Sequence, residues 1–268
     1  MNTFGLVLLG LAVLSFRAPA EASAEPDAQK ILSEARRIRQ EDWQWTDRVQ
    51  KLRLEIVDRR GGKRTRELDY YQKKYPRDRS RSLVFFRSPP EVKGTGFLQW
   101  VDPHGRNQQW LYLPALKRVR QISGRSQRES FMGTDFSYED LAIVSEILDW
   151  TESDARVSFS GTAPCGEDRC RKLRFEPDGK DVAYGEIVVW IDDGYRLRRL
   201  EFFDPEKRPW KVLDAADFRD VDGIPTPFRL EMANLRSGSR TVVLFESVRY
   251  GLGLDDATFS QRRLERGP

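Results

Sequence analysis

From residue 48 to residue 249, the chain consists largely of short segments in which apolar and polar residues alternate, as in β-strands with one buried face. In the first segment, Leu52, Leu54 and Ile56 alternate with charged residues. The further predicted strands are 65–73, 82–87, 97–102, 108–113, 116–122, 157–160, 172–176, 186–191, 197–203, 211–218, 228–232 and 241–249. Tight turn signals separate many of them, which predicts an antiparallel meander. A sheet of about a dozen strands must curl or close.

We therefore expect a mainly β fold: a single antiparallel curved sheet, or an incomplete β-barrel. Two segments with a helical pattern interrupt the strands, 27–43 and 123–150. Asp27 is a plausible N-cap of the first, and Ser137 can cap a short helix in the second, with Asp140 in its first turn. Several strands are apolar on both faces, so both faces need covering. We expect the N-terminal helix and a helical lid segment to cover the concave face of one domain.

The composition excludes several classes of function. One His and two Cys rule out a His/Cys zinc site, a bis-His haem and an iron–sulfur cluster, and we expect no cofactor. The net charge is +4, but both signs are interleaved along the chain, so we expect no nucleic-acid binding. The best carboxylate groups for catalysis are Asp135 with Glu139 and Asp140, and Asp192 with Asp193. Helix-start and turn roles explain both groups, and no nucleophile elbow or phosphate loop occurs, so we do not expect an enzyme.

The N-terminus is predicted to direct export. Residues 4–16 form an apolar run that is too short to span a bilayer and is followed by small residues. We expect a signal peptide at 1–24, cleaved after Ala20 or Ala24, and a mature domain at 25–268 that is soluble in the periplasm. The basic residue that usually precedes the apolar run is missing, so a retained N-terminal anchor is the alternative.

Cys165 and Cys170 flank a turn-rich stretch between two predicted strands. In an oxidising compartment, this pair would close the tip of a hairpin as a disulfide. A redox or metal-binding pair is the alternative, although the spacing is not C-x-x-C and no His lies nearby.

The string FMGTDFSYEDL at residues 131–141 resembles the signature of the LolA-like outer-membrane lipoprotein-sorting proteins, in the branch associated with RND- or MMPL-type exporters. Weaker matches are RSPP at 87–90, KGTGF at 93–97, WLYLP at 110–114, KRVR at 117–120, GIPTP at 223–227 and the terminal stretch 254–264. The resemblance covers roughly residues 30–265. It implies an incomplete antiparallel barrel whose concave apolar face, closed by helices, accommodates acyl chains.

The resemblance implies a periplasmic carrier or chaperone that binds the acyl chains of lipoproteins or other lipids for outer-membrane sorting or export. The alternative is a sensor or exporter-accessory protein of the same fold that binds a lipid or protein signal without transferring it. We expect a monomer with transient membrane contact, and an RND- or MMPL-type exporter as partner.

The lid segment supplies the predicted ligand-binding residues, because it offers adaptable apolar side chains next to a flexible glycine. They are Phe131, Met132, Phe136, Tyr138 and Leu141. For Phe136 and Leu141, simple core packing is the alternative. Lys117, Arg118 and Arg120 are candidates for attracting an anionic headgroup at the rim, with ordinary surface charge as the alternative.

Overall fold

The computed structural model describes residues 27–102, 107–178 and 181–268. Its strands are β1 Asp47–Val57, β2 Lys63–Lys74, β3 Ser80–Ser88, β4 Gly96–Val101, β5 Gln108–Leu113, β6 Arg118–Ile122, β7 Ala155–Cys165, β8 Asp168–Pro177, β9 Glu186–Asp192, β10 Leu197–Phe203, β11 Pro209–Val221, β12 Ile224–Asn234 and β13 Ser239–Tyr250. The helices are α1 Ala28–Glu41, α2 Tyr138–Glu146 and α3 Gln261–Arg266. The predicted signal peptide lies outside the described residues.

Within the described residues, all thirteen strands form one antiparallel sheet in the order β6-β5-β4-β3-β2-β1-β13-β12-β11-β10-β9-β8-β7. Consecutive strands pair with each other except β6 and β7, and β1 also pairs with β13. Strands β6 and β7 are the two edges and do not pair with each other, so the sheet is open rather than a closed barrel. The prediction of a single antiparallel curved or incompletely closed sheet is confirmed.

The segment between the two edge strands is the predicted lid, residues 123–150. It contains α2 and several short 3₁₀ turns. Together with α1, it packs against one face of the sheet, which we call the inner face. Apolar residues of both helices, among them Leu32 of α1 and Ile143 of α2, join the inner-face strands in one buried cluster. The two helical covers predicted for the concave face are therefore found.

The opposite, outer face of the sheet has its own cover, which sequence reasoning missed. The C-terminal helix α3 buries Leu264 against Phe85, Leu98 and Trp110 in a second apolar cluster. Gly96 makes this close approach possible, because a Cβ atom there would lie 2.6 Å from a methyl carbon of Leu264. In the sequence, the stretch 254–264 was identified only through the family resemblance, although strands that are apolar on both faces predicted that both faces need covering.

Most predicted strands have somewhat different limits in the structure, and the longest extension is that of β7, which runs from Ala155 to Cys165 instead of 157–160. Leu116 is not in β6 but in a 3₁₀ turn before it, with its side chain exposed. Strand β12 begins at Ile224 and so contains Pro225 and Pro227, which pair with β11 on one side. Its pairing with β13 begins only at Arg229, so the missing proline N–H groups cost no hydrogen bond to that strand.

Cys165 and Cys170 form the predicted disulfide, with their Cα atoms 5.8 Å apart at the β7–β8 hairpin. Among the described residues, no helix has the length and apolar character needed to cross a membrane.

Candidate functional site

A cavity of about 1520 Å³ lies between the lid and the inner face of the sheet. This exceeds the usual size of a small-molecule pocket. Its sheet side carries aliphatic residues from strands near the middle of the sheet, among them Leu52, Leu68, Leu213 and Val243. These side chains come from strands far apart in sequence that the β1–β13 pairing brings together.

The five predicted ligand-binding residues divide between the cavity wall and the packing behind it. Phe131, Phe136 and Leu141 line the cavity. Tyr138 is buried behind them, with its ring centroid 5.5 Å from that of Phe131. Met132 packs at the edge of the same cluster. Met132 and Tyr138 thus support the lid rather than line the cavity.

Hydrogen bonds attach the lid to strands on both sides of the β1–β13 junction. The hydroxyl of Thr241 on β13 donates to the Asp135 carboxylate at 2.7 Å and accepts from the Asp135 backbone N–H at 2.9 Å. On β2, the Arg66 guanidinium donates to the backbone carbonyl of Met132. These bonds hold the 131–136 part of the lid over the inner face.

The start of α2 is fixed by a buried ion pair. Ser137 and Asp140 form the N-terminal capping box, which confirms the predicted cap. The Asp140 carboxylate, fully buried, also accepts hydrogen bonds from Lys211 Nζ at 2.7 Å and Tyr184 Oη at 2.6 Å. Lys211 lies on β11, so this pair joins the lid to the sheet. The sequence showed the cap but not the ion pair, because Asp140 and Lys211 are 71 residues apart.

Glu139 is buried next to this pair. Its Oε1 accepts a hydrogen bond from the Ala183 backbone N–H at 3.0 Å, whereas Oε2 has no partner within the described residues. Burial, reinforced by the neighbouring Asp140 carboxylate, raises the pKa of Glu139 to about 7, against the effect of the Ala183 hydrogen bond.

The other predicted carboxylate group also has a structural role. Asp192 is fully buried at the end of β9, where Arg196 Nε donates to its carboxylate at 2.7 Å. Arg198 donates to the same carboxylate oxygen at 3.2 Å. These bonds fix the β9–β10 turn. Within the described residues, no group of His, Cys, Asp and Glu side chains is arranged to hold a metal ion.

The cavity mouth near the end of β2 is aromatic and cationic. Lys74 Nζ lies 4.2 Å from the ring centroid of Trp45, and the guanidinium carbon of Arg48 lies 4.8 Å from the same centroid. Both cations line the cavity. The predicted rim residues Lys117, Arg118 and Arg120 lie on β6 or just before it and are not among the cavity-lining residues.

Comparison with solved structures supports this fold assignment. An outer membrane lipoprotein-sorting protein domain from Vibrio parahaemolyticus aligns with a TM-score of 0.81 and 28% identity, covering 90% of this chain and 100% of that one. A DUF1329 family protein from Desulfovibrio piger aligns with a TM-score of 0.80 and 29% identity, covering 88% and 98%. A LolA superfamily protein from Nitrosomonas europaea, at 19% identity, has the same fold with a TM-score of 0.65, covering 88% and 98%.

Two sequence comparisons complete the assignment. No curated protein matches the chain at a significant level. A family model described as "-like: Uncharacterized protein" matches residues 78–266. The model covers more than half of the chain, and the solved structures supply the fold that it shares. The chain therefore belongs to the family of this model, and it shares its fold with an outer membrane lipoprotein-sorting protein domain, a DUF1329 family protein and a LolA superfamily protein.

Proposed function

We propose that this protein is a periplasmic carrier or chaperone that holds the acyl chains of lipoproteins or other lipids in the cavity under the lid. The observation that carries the proposal is the large cavity with aliphatic and aromatic walls between the inner face and residues 131–148. The relative from Vibrio parahaemolyticus, described as lipoprotein-sorting, has the same fold.

The chemistry of the walls suits a hydrocarbon chain. Water in the deep part of the cavity would find few hydrogen-bond partners among residues such as Leu54, Leu68 and Phe97, so an acyl chain could displace it readily. Each methylene group removed from water contributes about 0.8 kcal/mol, which offsets the cost of ordering the chain. Leu54, Leu68 and Phe97 offer no acid–base chemistry, and we propose a binding protein rather than an enzyme.

The proposal includes location and partners. The disulfide is typical of an oxidising compartment, in agreement with export through the predicted signal peptide. A monomer can enclose an acyl chain without a second copy, because the lid belongs to the same chain. We further propose transient contact with the membrane during loading and, as the first partner to test, an RND- or MMPL-type exporter.

The test has two stages. Native mass spectrometry of protein isolated from its own periplasm should show co-purified lipid. Binding of a fluorescent fatty-acyl probe should then be at least about tenfold weaker in Phe136→Asp, because the new carboxylate must be desolvated by the bound chain. Leu116→Asp, at an exposed position outside the cavity, is the matched control and should bind as the wild type does.

Leu141→Gln gives a second cavity variant at a less buried position, for use if Phe136→Asp does not fold. A folded wild-type protein that binds no acyl probe would contradict the proposal. Transfer of the bound lipid to acceptor membranes separates the two roles: a carrier releases it, whereas a sensor retains it and forms a lipid-dependent complex.

A further inference from the structure

The inner face changes character along the β1–β2 hairpin. On β1, the cavity-lining residues run from Leu54 and Leu52 through Gln50 to Arg48 at the mouth. On the antiparallel neighbour β2, the corresponding cavity-lining residues run from Leu68 through Tyr70 and Gln72 to Lys74. The pairing places Gln50 opposite Tyr70 and Arg48 opposite Gln72, so both series change at the same depth. One side of the cavity is therefore apolar inside, polar in the middle and cationic at the mouth.

In the part of the chain that the structure describes, the two cations at the mouth form no ion pair with a carboxylate. Arg48 Nε donates to Gln72 Oε1 at 2.9 Å, and among the described residues neither Arg48 nor Lys74 forms an ion pair. The nearby Arg39, by contrast, is paired with Asp149 at 3.1 Å. Trp45 lies against both unpaired cations and holds them on the same side of the mouth.

The polar belt between the apolar and cationic zones contains an unused donor. Gln50 is 2% exposed, and its Nε2 has no hydrogen-bond partner within the described residues. Gln72, Ser80 and Ser82 line the cavity beside it, on the neighbouring strands. A buried donor facing a cavity without a partner indicates a ligand with an acceptor oxygen at that depth.

We propose that the cargo is an anionic amphiphile whose phosphate or carboxylate headgroup binds between Lys74 and Arg48, while its acyl chain lies along Leu52, Leu54 and Leu68. This inference rests on the proposed function and narrows it to a class of lipid. Gln50 donates to an ester or similar oxygen between headgroup and chain. An uncharged acyl ligand would leave both cations without an ion-pair partner among the described residues.

The electrostatics of Lys74 agree with this assignment. Burial, together with the positive charges of Arg39 on α1 and Arg48 on β1, lowers the pKa of Lys74 to about 8, against the opposing effect of Asp149 and Asp78. A bound anion would favour the charged ammonium group and raise this pKa. Headgroup binding should therefore be strong below about pH 8 and weaken as Lys74 loses its proton.

The test compares dansyl-undecanoic acid with its methyl ester, two probes with the same chain and fluorophore whose headgroup is either a charged carboxylate or an uncharged ester. The wild type should bind the acid about tenfold more tightly than the ester, because charge-assisted hydrogen bonds are stronger than neutral ones. In the double variant Lys74→Met with Arg48→Met, the acid should lose this advantage while ester binding is unchanged. Arg60→Met removes one exposed charge from the same hairpin and serves as the control.

A pH series adds a readout that a purely structural role would not move. Between about pH 7 and about pH 10, the wild type should lose much of its preference for the acid, whereas Lys74→Arg, which stays charged, should keep it. Dodecyl phosphate should displace the bound acid, and inorganic phosphate at the same concentration should not.

The outcomes distinguish a failure of the headgroup site from a failure of the proposed acyl-binding function. Binding of acid and ester with equal affinity in the wild type, or a preference that survives in the double variant, would overturn the headgroup site but leave the acyl carrier intact. If inorganic phosphate displaces the bound acid as effectively as dodecyl phosphate does, the site binds free anions. This result would overturn the proposal that the cargo is an anionic amphiphile. If neither probe binds, the proposed function fails, and the inference fails with it.

Discussion

Glu139 is a buried carboxylic acid whose pKa is raised to about 7, so its ionisation works against folding. Because the folded state holds this proton more tightly than the unfolded chain does, the contribution to stability is greatest below about pH 4.5 and is lost as pH rises to about 7. We expect Glu139→Gln to be more stable than the wild type at pH 8, by about 1 to 3 kcal/mol, and nearly equal to it near pH 4.5.

Urea unfolding at a series of pH values measures this difference. Glu152→Gln, at an exposed position, is the matched control and should follow the wild type throughout. A stability difference between Glu139→Gln and the wild type that does not change with pH would contradict the prediction.

For Lys74, which is a base, we predict that stability depends on its proton in the opposite sense. Its pKa is lowered to about 8, so the unfolded chain binds this proton more tightly and the charge destabilises the fold below that pH. We expect Lys74→Met to raise the Tm at neutral pH by about 2 °C or more, while weakening the preference for anionic ligands. Thermal unfolding at about pH 7 and above about pH 10 checks the sign, since the gain should vanish at the higher pH. A lower Tm for Lys74→Met at neutral pH would show that the cation supports the fold.

At the scale of elements, the Asp140–Lys211 ion pair joins helix α2 to strand β11. Asp140→Asn keeps the size of the side chain but leaves the Lys211 ammonium buried without a counter-charge. We expect a loss of about 3 to 5 kcal/mol in the free energy of unfolding. In Asp140→Asn with Lys211→Met, neither member of the ion pair is charged, so part of this loss should be recovered, measured by denaturant unfolding. A single variant as stable as the wild type would limit Asp140 to its capping role.

The disulfide is an element-scale constraint of a different kind. Cys165 and Cys170 are five residues apart, so their bond closes one hairpin and constrains little of the unfolded chain. Replacing both by Ser should cost about 2 kcal/mol or less and leave acyl binding intact. Intact-mass analysis with and without reductant checks the bond, and hydrogen exchange should show loosening confined to β7 and β8. Global unfolding of the Ser variant would contradict this prediction.

At the scale of the whole molecule, the meander was predictable because period-two alternation is a local property. The helix caps at Asp27 and Ser137 were predictable for the same reason. The cation pair at the mouth was not, because Arg48 and Lys74 are adjacent only through the β1–β2 pairing and the position of Trp45. Because Lys117, Arg118 and Arg120 are clustered in the sequence, they were the predicted headgroup-attracting residues instead. They lie in a β-hairpin and do not line the cavity. Local patterns thus indicate elements, and long-range pairing decides which charges meet.

The unpaired edges β6 and β7 bear on how cargo of different sizes is held. In a closed barrel, strand number and shear determine the radius, so the bore is fixed. Here the two edges can separate, and the sheet can flatten, without breaking any hydrogen bond between neighbouring strands. The lid joins both edges, so its contacts, together with those of α1, resist widening. Under the proposed function, a cavity of adjustable width would let one sequence hold lipids with different numbers of acyl chains.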